Sequence, residues 1–348
     1  MVHHPTTAGG RHRPLRYHRA TGSTNHRPMA QDTAKSDTGT HNTGGTRLLD
    51  IARIDHISIA VPELEPELEL LERLFGFRRA GQWASEPDSG YDGMNMDVPG
   101  NSNIGWEVLA PDSPDSYIQR FLDGPNGPGF HHIAFEVADV RGANTELRAL
   151  GIDPWPAPNE DGPAPLETYI HPRGGGSGFL FQFFGAELAG DTASREPAPD
   201  VDHSLGIIAI NHLSHAHPRA DELADWYERV LGMESFHRSE GGEYADFTTR
   251  VLETSTRQMR WELIEPQGDD SFVARFIEAR GPSIHHVTFE VGDWKRAIDA
   301  CAHHGVPIFG AREGETDGAT WREAFIHPRH TGGFLAQFFW QERPGIWV

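Results

Sequence analysis

Polar and apolar positions alternate in four similar stretches of this chain, each opened by a histidine: HISIAV from His56, HIAFEV from His132, HLSHAH from His212 and HVTFEV from His286. Period-two alternation predicts strands, and in the first of them it sends His56, Ser58 and Ala60 to one face. Each stretch leads into a segment of helical spacing that stops at a glycine. In the first, Leu64, Leu68, Leu71 and Phe75 recur at that spacing and Gly76 supplies the stop; Gly151, Gly232 and Gly305 do so in the others. Each segment then closes on a strand, WEVLAP, FLFQFF, WELIEP or FLAQFF, after short apolar runs separated by Gly, Asn and Pro. The plan predicts a β-α-β-β-β unit repeated four times.

The repeat carries polar residues in register. Glu107 follows His56 by 51 residues, Gln182 follows His132 by 50, Glu262 follows His212 by 50 and Gln337 follows His286 by 51. Two neighbouring units forming one curved sheet would turn the opening His and the closing Glu or Gln towards one cavity. An α+β fold is therefore expected, with four βαβββ modules paired into two open barrels. The expected boundaries are a disordered leader at 1–46, a first domain at 47–185, a linker at 186–206 and a second domain at 207–348. The leader is rich in Thr, Gly, His, Arg and Pro without hydrophobic periodicity. The linker reads GAELAGDTASREPAPDVDHS.

Composition narrows the functional classes. A net charge of -21 disfavours nucleic-acid binding, because phosphate contacts need a basic footprint. Lys occurs only at Lys35 and Lys295, and no clear basic cluster stands out in the sequence. No apolar run approaches the ~20 residues of a membrane-spanning helix. The absence of a signal-peptide core and the single Cys301 lead to a cytoplasmic expectation.

The motifs DHISIAVPEL, EVLAPDSPDSYIQRFL, GFHHIAFEVADV and YIHPRGGGSGFLFQFF recur in the second half as NHLSHAHPRA, ELIEPQGDDSFVARFI, SIHHVTFEVGDW and FIHPRHTGGFLAQFF. Together they resemble the vicinal oxygen chelate (glyoxalase/bleomycin resistance/dioxygenase) superfamily, over about 52–185 and 207–341, and methylmalonyl-CoA epimerase in particular. The tandem arrangement also resembles the superfamily's 2-epi-5-epi-valiolone epimerases. The resemblance implies paired βαβββ modules around a divalent metal, and two ligand sets: His56, Glu107, His132 and Gln182, then His212, Glu262, His286 and Gln337. Gln182 and Gln337 stand where the family usually has a carboxylate. Two imidazoles, a carboxylate and an amide oxygen suit zinc, cobalt, nickel, manganese or ferrous iron.

Such a metal polarises a carbonyl, and an epimerase adds a base on one face of the carbon and an acid on the other. Glu107 and Glu262 can serve only if they loosen from the metal. The epimerase resemblance places a further acid at Asp88, with Tyr91 beside it; the second half has Tyr244 in register but a displaced acid. Glu167 and Glu323 are alternative bases, set against an ordinary surface role. His131 and His285 are expected to be structural, His215 and His217 to lie at an interface or surface, and Glu136 and Glu290 to support ligands or simply be buried. Trp106, Trp261, Phe183, Phe338 and Tyr169 could line the pocket, although most should be core. The expected function is a metal-dependent epimerase or isomerase acting on a hydroxy-ketone or cyclitol-like substrate, or on a 2-methylacyl-CoA. The alternatives are a non-haem iron dioxygenase and a non-catalytic small-molecule binding protein. A small-molecule substrate and a homodimer are expected; nucleic-acid and membrane partners are not.

Overall fold

The computed structural model describes residues 18–19, 49–83, 90–156, 162–163, 165–189, 196–239 and 246–344. Most of the expected leader, together with Asp88 and Tyr244, lies outside the described residues. A two-residue strand, β1 (His18–Arg19), pairs in parallel with Arg312 and Glu313.

The first half forms one curled sheet. Its first module is β2 (Ile51–Ala60), α1 (Leu64–Leu70), β3 (Arg78–Trp83), β4 (Asp92–Asp97) and β5 (Gly105–Ala110). Then come α2 (Tyr117–Leu122), β6 (Gly129–Val137), α3 (Val140–Ala149), β7 (Glu167–Ile170), β8 (Leu180–Gly185) and α4 (Ala186–Ala189). The strand order is β3-β4-β5-β2-β6-β8-β7, so the two modules join through their opening strands, β2 and β6.

The second half repeats this plan with β9 (Ile207–Ala216), α5 (Ala220–Leu231), β10 (Glu234–Ser239), β11 (Phe247–Glu253), β12 (Arg260–Pro266), α6 (Phe272–Arg280), β13 (Ser283–Val291), α7 (Trp294–His303), β14 (Ile308–Thr316), β15 (Ala319–Ile326) and β16 (Leu335–Gln341). Its order is β1-β14-β15-β16-β13-β9-β12-β11-β10.

Local sequence explains most of these elements. Gly76 and Gly232 end their helices at φ of 75° and 62°, a backbone state that costs glycine little. Asp139, Asp293, Ser116 and Ser271 accept hydrogen bonds from the first turns of α3, α7, α2 and α6. Two elements differ from the expectation. The last turn before Gly76 widens into a π-helix, Leu71–Phe75. In the second module the strand equivalent to β14 shrinks, among the described residues, to one bridge between Trp155 and Tyr169. Pro154, Pro156, Pro163 and Pro165 crowd this stretch and remove the amide donors that a ladder needs.

The side chains on the sheet faces away from His56 and His212 join the helices in one apolar core that runs through both halves. Phe289 of β13 packs against Phe75, Phe77 and Trp106 of the first half, with ring centroids 5.5–6.0 Å apart. Phe181 of β8 meets Trp226, Tyr227 and Trp261 of the second. Trp106, Trp261, Phe183 and Phe338 are fully buried here and therefore do not line a cavity. His215 is an interface residue: its Nε2 donates to Ser177 O at 3.0 Å and its Nδ1 meets the Tyr227 hydroxyl at 2.8 Å. The segment between the halves is docked as well, since Arg296 pairs with Asp200 and donates to Val201 O and Ser204 Oγ.

The backbones of the two halves approach closely at Gly100, where Asn101 N donates to Ile208 O at 3.0 Å. A Cβ on Gly100 would lie 1.9 Å from that oxygen, at a φ of +89°. Strain and overpacking act together there, so Gly100→Ala is expected to destabilise the fold by roughly 2–5 kcal/mol. Chemical denaturation checks this, and a cost below about 1 kcal/mol would mean that the two halves separate easily at this point.

Candidate metal centres

Strand register builds the first centre. Ser58 of β2 lies opposite both Glu107 and His132, and Ala134 of β6 lies opposite both His56 and Gln182. Because side chains alternate, His56, Glu107, His132 and Gln182 share one face across β5, β2, β6 and β8. His56 Nε2 and His132 Nε2 are 3.2 Å apart, and Glu107 Oε2 is 3.7 Å and 3.5 Å from them. Donors held about 2.1 Å from one tetrahedral ion would stand about 3.4 Å apart, so the spacing suits a shared cation. Two buried acceptors facing this space, Glu107 Oε2 and Gln182 Oε1, have no hydrogen-bond partner. Buried oxygens without partners are costly unless something cationic or donating meets them. The residues present therefore fit a divalent metal.

The histidines are set in the ligand form. Burial and the neighbouring His131 and His56 imidazoles hold His132 well below its ordinary pKa, so it stays neutral. Asp55 accepts from His56 Nδ1 at 2.7 Å, which leaves the Nε2 lone pair facing the cluster. Asp55 is held by Arg53, which also pairs with Glu136 at 2.7 Å. Glu136 thus supports the site through Arg53. His131 is more than structural filler, since its Nδ1 meets His132 Nδ1 at 2.9 Å while its ring packs on Phe121. Asp55 and His131 were legible in principle, as the polar residues immediately before each opening His.

A cavity of about 700 Å³ opens over this cluster. Glu167, Tyr169, Tyr91 and Tyr117 line it together with the ligand residues. Gln182 Nε2 donates to Glu167 Oε2 at 2.7 Å and to the Tyr169 hydroxyl at 3.1 Å, which fixes all three. Burial, with Glu107 and Glu167 nearby, pushes Tyr91 up to about 12, and it raises Tyr117 and Tyr169 as well. These phenols stay protonated and are hydrogen-bond donors. Trp155 and Leu166, both about half exposed, form an apolar rim that sequence reading missed.

The second centre has the same three ligands but a different setting. Glu262 Oε2 is 3.7 Å from both His212 Nε2 and His286 Nε2. Burial pushes Glu262 up to about 7 and His212 down to about 3. Asn211 replaces Asp55 behind the first imidazole, at 2.8 Å from His212 Nδ1. Thr288 replaces Ala134 in the floor, and its hydroxyl lies 2.9 Å from His212 Nε2 and 2.5 Å from Gln337 Oε1. Glu323 is buried, accepts from Gln337 Nε2 at 2.9 Å and is paired with Arg312. The first site thus leaves Glu167 without a cationic partner among the described residues, whereas Glu323 has one.

Each of the two paired-module sheets carries on its inner face a His/Glu/His cluster that could hold a metal ion. A sequence profile of the Glyoxalase/Bleomycin resistance protein/Dioxygenase superfamily matches residues 55–168 and 211–325, and the chain belongs to that superfamily. Ethylmalonyl-CoA/methylmalonyl-CoA epimerase of Cereibacter sphaeroides is 35% identical over 101 residues, which are 29% of this chain and 72% of that protein. The 4-hydroxyphenylpyruvate dioxygenase of Dictyostelium discoideum is 24% identical over 199 residues, 52% of this chain and 54% of that one. Among solved structures, a mutant 4-hydroxymandelate synthase from Streptomyces coelicolor shares the fold, with a TM-score of 0.65 at 14% identity over 84% of this chain and 94% of that chain. The sequence relatives are epimerases and dioxygenases, and the chain is an enzyme. No helix among the described residues is long and apolar enough to cross a membrane.

Proposed function

We propose that the protein is a metal-dependent epimerase or isomerase that moves a proton on the carbon next to a carbonyl, and that its first half carries the reaction. The observation behind this is the first cavity, where Glu167 stands beside a His56/Glu107/His132 cluster with an unsatisfied Gln182 Oε1. A divalent ion bound there would supply Lewis acidity, favouring negative charge on a substrate carbonyl oxygen.

The chain's own residues do the rest. Glu167, held by Gln182, takes the α-proton. Tyr169, Tyr91 and Tyr117 donate hydrogen bonds to substrate oxygens, and a protonated group on the opposite face returns the proton. Similarity to the epimerases favours a 2-methylacyl-CoA as substrate. The neutral phenols also suit a hydroxy-ketone of the cyclitol kind.

Incubating the metal-loaded protein with candidate substrates in heavy water tests the reading. Deuterium is expected next to the carbonyl, with no uptake of oxygen. Oxygen consumption dependent on ferrous iron would instead establish the second reading, a dioxygenase, which the two-His, one-carboxylate set and the dioxygenase relatives favour. That reading has Glu107 as its carboxylate, on β5, with an amide at the last strand. Activity that survives complete chelation would sink both.

A further inference from the structure

A second cavity, of about 530 Å³, lies between the two halves. The first half contributes α2 and the stretch 171–180, and the second contributes α6, the start of β13 and the stretch 328–335. Its lining holds three arginines, Arg120, Arg173 and Arg280, and no Asp or Glu. That is unexpected in a chain with 51 acidic and 30 basic residues. Elsewhere, guanidinium groups such as Arg53, Arg79, Arg296 and Arg312 are matched with carboxylates. Arg173 and Arg280 have no carboxylate partner among the described residues. Arg120 spends one N–H on Asp115 O, at 2.6 Å, and keeps its charge. The three come from α2, a loop and α6, far apart in sequence, which is why no basic cluster is visible in the sequence itself.

The two cavities share a wall. Tyr117, Phe121, His131, His171, Pro172 and Leu180 line both. A ligand with its reacting end over His56, Glu107 and His132 can therefore continue along this wall to the arginines. A cleft of unmatched guanidiniums focuses positive potential and binds phosphate oxygens through forked N–H pairs. Between cluster and arginines the wall is largely aromatic and aliphatic, suiting an uncharged arm.

We infer that the cavity between the halves is a phosphate-binding subsite, taking the polyanionic end of the ligand whose carbonyl end lies in the first metal cavity. The inference rests on the first cavity's being the reactive one. It also gives the tandem chain a purpose, since Arg280 reaches the first half's ligand only from the second half.

Calorimetric titration of the full-length, metal-loaded protein with coenzyme A, ADP and inorganic phosphate tests it. Coenzyme A is expected to bind. R173A/R280A should weaken it by roughly 10- to 100-fold, while R173K/R280K, which keeps the charge but not the fork, should lose less. Thermal midpoints of both variants should match the parent, because Arg173 is exposed and Arg280 half-buried. Failure of coenzyme A to bind, or equal binding by R173A/R280A, overturns the subsite. Phosphate or ADP binding that depends on the arginines but does not compete with coenzyme A also overturns it, and marks a separate effector site. Arginine-dependent binding of coenzyme A without deuterium exchange on any acyl thioester leaves the subsite standing and removes the epimerase reading instead.

Discussion

Glu167→Gln is expected to lower α-proton exchange by roughly 10²- to 10⁴-fold, the usual contribution of a positioned general base. The substitution preserves shape, and Gln182 Nε2 can still donate to the new amide oxygen as it does to Glu167 Oε2 at 2.7 Å. What it removes is the lone pair able to accept a proton. Metal content, measured by elemental analysis, should stay unchanged, because His56, Glu107 and His132 are untouched. Glu323→Gln is the internal control. Glu323 is buried and paired with Arg312, so its carboxylate is neutralised in place and faces a different cluster. Its loss should change the rate by less than about threefold if the first half does the chemistry. Equal losses in the two variants would show that both halves react, and a rate unaffected by Glu167→Gln would remove this residue from the mechanism.

The parts of the site visible in the sequence are those that strand periodicity transmits. Once His56, Glu107, His132 and Gln182 open or close strands at constant spacing, the parallel register of β2 with β5 and of β6 with β8 brings them to one face. The same holds for His212, Glu262, His286 and Gln337. What could not be read is what side chains decide across non-adjacent elements. Nothing in the spacing of Arg53 and Glu136 shows that they brace Asp55, because β2 and β6 are brought together only by folding. The reduction of the strand equivalent to β14 to one bridge at Trp155, among the described residues, agrees with the prolines there, whereas the strength of the repeat argued for four complete modules. Glu167 and Glu323 look equivalent in sequence, and the pairing with Arg312 and the deeper burial of Glu323 separate them.

Asp55→Asn should weaken metal binding at the first centre by about 10- to 100-fold, the range typical of partners that orient a ligand histidine. The Asp55 carboxylate accepts from His56 Nδ1 and makes Nε2 a better donor to a cation; Asn211 offers His212 only a neutral amide oxygen. The substitution therefore gives the first centre the second centre's setting. The floor works in the same direction. Ala134 leaves His56 and Gln182 clear, whereas the Thr288 hydroxyl already engages His212 Nε2 and Gln337 Oε1, and a cation must displace it. The unmodified protein should thus take up zinc or manganese in two steps, with the tighter one at the first centre. Asp55→Asn should bring the two steps together by lowering the first, and Thr288→Ala by raising the second. Calorimetric metal titration separates these outcomes without any assay of turnover. A single step of two equal sites in the parent protein, or a first step unmoved by Asp55→Asn, would show that the carboxylate behind His56 does not set the difference between the halves.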